Sequence, residues 1–316
     1  ASEENERVIT GSNNHAYVKL SEGCNQSCSF CAMPSFKGKL HSRTLESLVK
    51  EVTNLVKKGY KDFSFVSQDS SSYLRDLGHN DGLEQLIDAV EKIDGVKTAR
   101  ILYLYPSTTT HNLIDKIADS KVFVNYFDMP LQHISQNMLK IMKRGKGAEK
   151  LIELMNYMKS KPNSFVRTTF IAGHPGESEE DFEELCSFVE EFGFDRGNVF
   201  SYSDEEGTSA ETRDDKIEQE LIDERAEILG DIISQTTIKS LENDIGKSFE
   251  VYIDGESEEH EYLLSARKTI WAPQIDGEIY INDNEDNIPI VFGEIYEVEA
   301  TELAGDKLLA KIIRKV

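Results

Sequence analysis

Long hydrophobic runs are missing from this sequence. No stretch of about 18 apolar residues occurs, which excludes a membrane-spanning helix and a membrane as partner. Basic residues are scarce: 35 Lys and Arg stand against 58 Asp and Glu, a formal net charge of −23. That field repels phosphate backbones and attracts basic partners, which argues against broad, non-specific nucleic-acid binding. Cysteine is scarcer still. Three of the four cysteines lie within eight residues, and Cys186 stands far from them. A secreted disulfide framework spreads even numbers of cysteines over its loops. The first 14 residues are polar and acidic and lack the basic-then-apolar order of a signal peptide. They read as a linker, 1–14, following an upstream segment. Clustered thiols without a leader point to a metal site in a reducing cytoplasm.

What is present suits a large α/β unit followed by a smaller module. The chain of 316 residues is 39% hydrophobic, enough for packed cores. From residue 15 to about 202, short runs rich in Val, Ile, Phe and Tyr alternate with longer amphipathic ones. The strand candidates are Ala16–Leu20, Phe63–Ser67, Arg100–Leu104, Phe123–Asp128, Phe165–Ile171 and Asn198–Tyr202. Helical patterns lie between them, such as Thr44–Lys58 with Leu45, Leu48, Val52, Leu55 and Val56 on one face. Another runs over Ser178–Phe192, opened by an N-cap serine and first-turn acids. Six β-α units predict a parallel sheet, an open partial barrel rather than a full eight-stranded one. After a helix over about 214–241 the pattern changes. Short alternating runs with Gly and Asn-Asp turns predict a small antiparallel all-β barrel. The organisation expected is therefore a linker 1–14, a core domain 15–240 and a β domain 241–316.

Cys24, Cys28 and Cys31 follow the first strand with C-x3-C-x2-C spacing. Three thiolates in one loop can each bind one iron of a cubane cluster, whose full complement is four. The fourth iron keeps open positions, as a metal that binds a cosubstrate requires. Zinc is the rival reading. Zinc sites pair one C-x2-C with a second Cys or His pair; none follows here, and His41 is the only nearby downstream imidazole.

That spacing, with Phe30 just before the last cysteine at the end of the first strand, resembles the radical S-adenosylmethionine (SAM) superfamily. The resemblance implies a [4Fe–4S] cluster on Cys24, Cys28 and Cys31. SAM would chelate the iron that has no protein ligand. One-electron cleavage would yield a 5′-deoxyadenosyl radical that abstracts a hydrogen, with a separate electron donor as partner. The stretches Tyr17–Cys24 and Cys31–Arg43, then Ser67-Gln-Asp69, Met129–His133, Met142–Gly145, Thr169–Glu177 and Tyr202–Thr208, are similar to the methylthiotransferase subfamily. The C-terminal module matches the place and size of that subfamily's TRAM domain. The fold expected is thus a partial (βα)6 radical SAM barrel followed by a small antiparallel TRAM barrel. Ser-Glu-Gly-Cys24 and the Ala32–Lys39 stretch are closest to the branch that methylthiolates the β-carbon of an aspartate in small-subunit ribosomal protein twelve. Charge agrees: residues 241–316 hold 18 acids and 7 bases, a net of −11. An acidic module suits a basic ribosomal protein better than tRNA. The alternatives are a tRNA-adenosine methylthiotransferase and a non-catalytic, metal-binding ribosome-interaction module.

The same resemblance implies roles. Phe30 packs beside the adenine, and Ser67, Gln68 and Asp69 hold the amino end of SAM. Gly173 lies near the adenosine, and Gln132 with His133 lines the pocket. Arg167 pairs with a carboxylate of SAM or substrate, and Arg43 neutralises the cluster or grips substrate. Each has a plainer alternative in loop packing, a strand-end turn or a structural ion pair. His174 departs from the family's more usual aromatic and takes no role. Cys186, on an apolar helix face, reads as a core thiol. The family also has an N-terminal domain with three further cysteines and a second [4Fe–4S] cluster; those cysteines are not in this sequence. The expectation is a chain that cleaves SAM without completing methylthio transfer.

Overall fold

The computed structural model describes residues 9–284 and 287–316. In chain order its elements are β1 (His15–Lys19), β2 (Ser21–Glu22), α1 (Met33–Lys37), β3 (His41–Ser42), α2 (Leu45–Lys57), β4 (Asp62–Val66), α3 (Gly82–Val90), β5 (Thr98–Ile101), α4 (His111–Ala118) and β6 (Phe123–Asp128). There follow α5 (Gln136–Ile141), α6 (Ala148–Lys159), β7 (Phe165–Ala172), α7 (Glu179–Phe192), β8 (Arg196–Ser201) and α8 (Gln219–Glu242). The last elements are β9 (Ser248–Glu256), β10 (Leu264–Lys268), β11 (Ile279–Asp283), β12 (Ile295–Ala304) and β13 (Lys307–Lys315). Among the described residues no helix is long and apolar enough to cross a membrane.

Six strands form one parallel sheet in the order β1-β4-β5-β6-β7-β8, the half-barrel that the β-α alternation predicts. Helices cover one face. Leu48, Val52 and Leu55 of α2 are buried against the sheet, as their spacing requires. Caps fix the helix entries: Thr44 accepts from the Ser47 amide, and Ser178 with Asp181 closes a reciprocal capping box on α7. Helix α8 begins at Gln219, five residues later than its hydrophobic pattern suggests.

The C-terminal strands close into a five-membered ring, β10-β11-β13-β12-β9. It is not antiparallel throughout, since β11 and β13 run parallel with Ile279 opposite Leu308. Parity requires this correction. Directions cannot alternate all the way round a ring of five, so at least one neighbouring pair must be parallel.

The ring seats against the N-terminal ends of the sheet strands. Asp62, first residue of β4, takes both Arg100 and Arg267. Thr98 at the start of β5 bonds the Tyr252 hydroxyl at 2.9 Å. Tyr126, Phe165 and Trp271 share one buried cluster. Residues 1–8 of the expected linker lie outside the described residues. Over 9–14 the chain packs instead of hanging free: Ile9 lies against the core, and the buried Asn14 bonds the Gly293 carbonyl.

Candidate active site

The cysteines sit on a loop, 23–40, whose two ends are tied together. β2 and β3 pair as a short antiparallel ribbon, the Cys24 amide donates to the Gly38 carbonyl at 3.2 Å, and the Leu40 amide donates to Asn25 Oδ1 at 3.0 Å. Gly23 makes the closure possible. Its φ is +72°, and a Cβ there would lie 2.3 Å from the Lys39 carbonyl oxygen. Pro34 at the first turn of α1 sets the helical stretch after Cys31. The far side of the loop is pinned by the Ser29 amide to Met142 O, by the Ala210 amide to Ser29 O and by Ser29 Oγ to His174 Nε2 at 2.9 Å.

All three thiols line one cavity of about 510 Å³ at the C-terminal ends of the sheet strands, the end where barrel active sites are built. Among the described residues no three His, Cys, Asp or Glu side chains converge closely enough to hold a single metal ion. Burial pushes the Cys24 thiol up to about 11 and raises Cys31. Cys28 Sγ accepts from Arg144 Nη1 at 3.2 Å and lies 3.6 Å from the Tyr105 hydroxyl.

The cavity brings together Phe30, Ser67, Gln68, Gln132 and Arg167 with the cysteines. Gln68 Oε1 and Gln132 Oε1 are buried and have no hydrogen-bond partner. Two unpartnered carbonyls in one pocket can accept from a ligand that carries N–H or O–H donors. Gln132 is held at φ +71° by backbone bonds to β7, from its own amide to Thr169 O and from Ile171 N to its carbonyl. A non-glycine residue in that region costs energy and is retained where the surroundings impose it. Tyr103, also on the cavity wall, stands at φ +60°.

Other predicted residues lie elsewhere. Asp69 does not line the cavity. Its buried carboxylate accepts from Ser71, Ser72 and Gln26, so it organises the turn after β4 and steadies the cysteine loop. Gly173 also stays outside; its amide donates to Glu177, and a Cβ there would meet Ile222 of α8 at 2.5 Å. Arg167 reaches the cavity but is neutralised by Asp128 at 3.0 Å and Asp276 at 3.6 Å. Burial lifts Asp128 to about 6 against the pull of that guanidinium. His133 is fully buried beside Glu177. Arg43 is spent on Glu51, Ser47 and Lys19 O, the structural alternative. Cys186 is half-buried against the core, its thiol raised to about 11 by burial. Sequence reasoning missed Tyr105, Thr169 and Asn198, and it quoted the Met142–Gly145 stretch without giving Arg144 a role; all four line the cavity.

Residues 18–189 match the model of the radical SAM superfamily, and residues 245–313 match that of a TRAM domain. A half-barrel with a thiol triad at its C-terminal mouth defines a radical SAM protein. The chain is 79% identical over 316 residues to the ribosomal protein uS12 methylthiotransferase RimO of Aliarcobacter butzleri, covering 99% of this chain and 71% of that relative. It is 62% identical to the RimO of a Sulfurovum species and 55% identical to that of Campylobacter jejuni, each over 100% of this chain and 71% of the relative. The chain belongs to the RimO family of radical SAM methylthiotransferases. Among solved structures, Escherichia coli coproporphyrinogen III oxidase (HemN), a radical SAM enzyme, superposes with a TM-score of 0.56 at 16% identity, over 71% of this chain and 53% of that one. The TsrM methyltransferase of Kitasatospora setae gives 0.50 at 16% identity, over 63% and 38%. Both show likeness of fold.

Proposed function

We propose that this chain holds a [4Fe–4S] cluster on Cys24, Cys28 and Cys31 and provides the SAM-cleaving part of a reaction that adds a methylthio group to the β-carbon of an aspartate in ribosomal protein uS12. The observation that carries the reading is the thiol triad opening on one cavity with two unpartnered glutamine carbonyls. When bound, the cluster and SAM supply a one-electron route to a radical able to take an unactivated hydrogen. The protein's own task is placement and shielding. Gln68 and Gln132 offer acceptors to SAM's donors, Phe30 offers a ring edge for the adenine, and Ser67 lies beside them. Met33, Leu104 and Phe200 add apolar wall, which excludes water from a reactive species.

The domain limits that support this reading are 15–240 for the core and 241–316 for the TRAM barrel. The barrel lies at the opposite end of the sheet from the cavity. Its acidic surface can grip a basic ribosomal partner while the target aspartate enters at the cysteine end. A cytoplasmic setting with an external electron donor suits a reduced thiol site.

The test is anaerobic reconstitution, then incubation with SAM, dithionite and uS12, with 5′-deoxyadenosine and the methylthio adduct read by mass spectrometry. A loaded cluster that releases no 5′-deoxyadenosine would overturn the reading. An adduct on tRNA adenosine instead of uS12 would replace its substrate.

A further inference from the structure

The geometry points to Arg144 as the fixed counter-charge of the cluster-bound thiolate of Cys28, a positioning residue that raises the cluster's reduction potential. The inference rests on the cluster reading above. Arg144 is 4% exposed. One guanidinium nitrogen donates to Cys28 Sγ at 3.2 Å and the other to the Pro130 carbonyl. The group lies over the Tyr105 ring, 4.5 Å from its centroid. Its Nε is buried without a partner. Among the described residues no carboxylate forms an ion pair with it.

A buried cation without a carboxylate partner is unfavourable, because desolvation is not offset by an opposite charge. The buried arginines elsewhere in this protein behave otherwise: Arg100, Arg167, Arg225 and Arg267 each have a carboxylate. At Arg144 the negative charge would come from the sulfur of cluster-bound Cys28, 3.2 Å from the guanidinium. Once the cluster is in place, the guanidinium stabilises its more negative, reduced form, and a hydrogen bond to a ligand sulfur acts in the same direction. Arg144 comes from the loop after α5, and the Met142 carbonyl of that loop also holds the Ser29 amide beside Cys28. The charge is therefore fixed to the cysteine loop by backbone.

Arg144→Met and Arg144→Lys separate charge from packing. Each variant and the wild type would be reconstituted anaerobically. Iron and sulfide content, midpoint potential by electron paramagnetic resonance during dithionite titration, and melting temperature before and after loading would be measured. The expected result is a more negative midpoint for Arg144→Met, shifting the reduction equilibrium at least tenfold, about 59 mV for one electron. Arg144→Lys should stay within threefold of wild type. Before loading, Arg144→Met should melt no lower than wild type; after loading it should gain less. A loaded Arg144→Met with the wild-type potential would overturn the role. If Arg144→Met takes up no cluster, Arg144→Lys decides: wild-type iron content supports the counter-charge, and an equally empty protein refutes it. Wild-type protein that binds no iron would instead overturn the cluster reading, and this role with it.

Discussion

Arg100 Nη2 and Asp62 Oδ1 lie 2.8 Å apart, and neither side chain touches solvent. The same guanidinium donates to the carbonyls of Thr269 and Ile270 in the barrel, while Arg267 of β10 bonds the other Asp62 oxygen at 2.9 Å. One carboxylate of the sheet thus joins the two domains through two arginines.

Asp62→Asn should cost roughly 3–5 kcal/mol in chemical denaturation, because it leaves the buried Arg100 guanidinium without a carboxylate, while Arg267 keeps Asp254. Burial alone would raise the Asp62 carboxyl, but Arg100 and Arg267 outweigh it and bring it down to about 2. Its stabilising effect is therefore complete above the ordinary carboxyl value and is lost as pH falls from about 4 toward 2. Wild type and Asp62→Asn should converge in stability over that window. A constant gap between them would refute the assignment.

Changing Cys24, Cys28 or Cys31 to Ala should each sharply lower iron and sulfide content after reconstitution. Cys186→Ala should leave both unchanged, since that thiol packs on the core far from the triad. Iron loss in Cys186→Ala would contradict the site as drawn.

Gly23→Ala should disrupt the cysteine loop. The obstacle is backbone, the Lys39 carbonyl, and cannot rotate away, so both cluster content and melting temperature should fall. Gly173→Ala should lower stability through its clash with Ile222, with partial rescue by Ile222→Ala. Cluster content per folded molecule should be unchanged. Calorimetry and iron analysis distinguish the two cases.

Gln132→Leu should weaken SAM binding to the reconstituted protein about 5- to 150-fold, equivalent to ~1–3 kcal/mol for an acceptor removed from a buried donor. Iron content should hold. Titration calorimetry reads the first quantity and chemical analysis the second. Equal affinities would remove Gln132 from the ligand site.

The sheet was legible because each strand is a short apolar run and each helix shows a wide apolar stripe, both of which follow from burial. Phe123–Asp128 begins and ends where its residues predict. The cysteines were legible because ligand spacing is local. Asp69 and Gly173 lie off the cavity wall for a common reason: motif position says which loop a residue is on, while the direction of its side chain or free face is decided by tertiary partners. Ser71 and Ser72 turn Asp69 inward, and α8 covers Gly173. Arg144 had no local signal of function. Its meaning comes from Cys28, 116 residues away, and from the lack of a carboxylate beside it among the described residues.

The closure of the ring by its last strand has a consequence for how the molecule is made. β13 bonds to both β11 and β12, so two of the five strands wait for the same partner during synthesis. Until residues 307–315 leave the ribosome, β11 and β12 each present an open edge of the sort that recruits strands from other chains. A stop codon that removes β13 would then do more than shorten the protein. It would expose both edges together, and aggregation is the expected fate of that product.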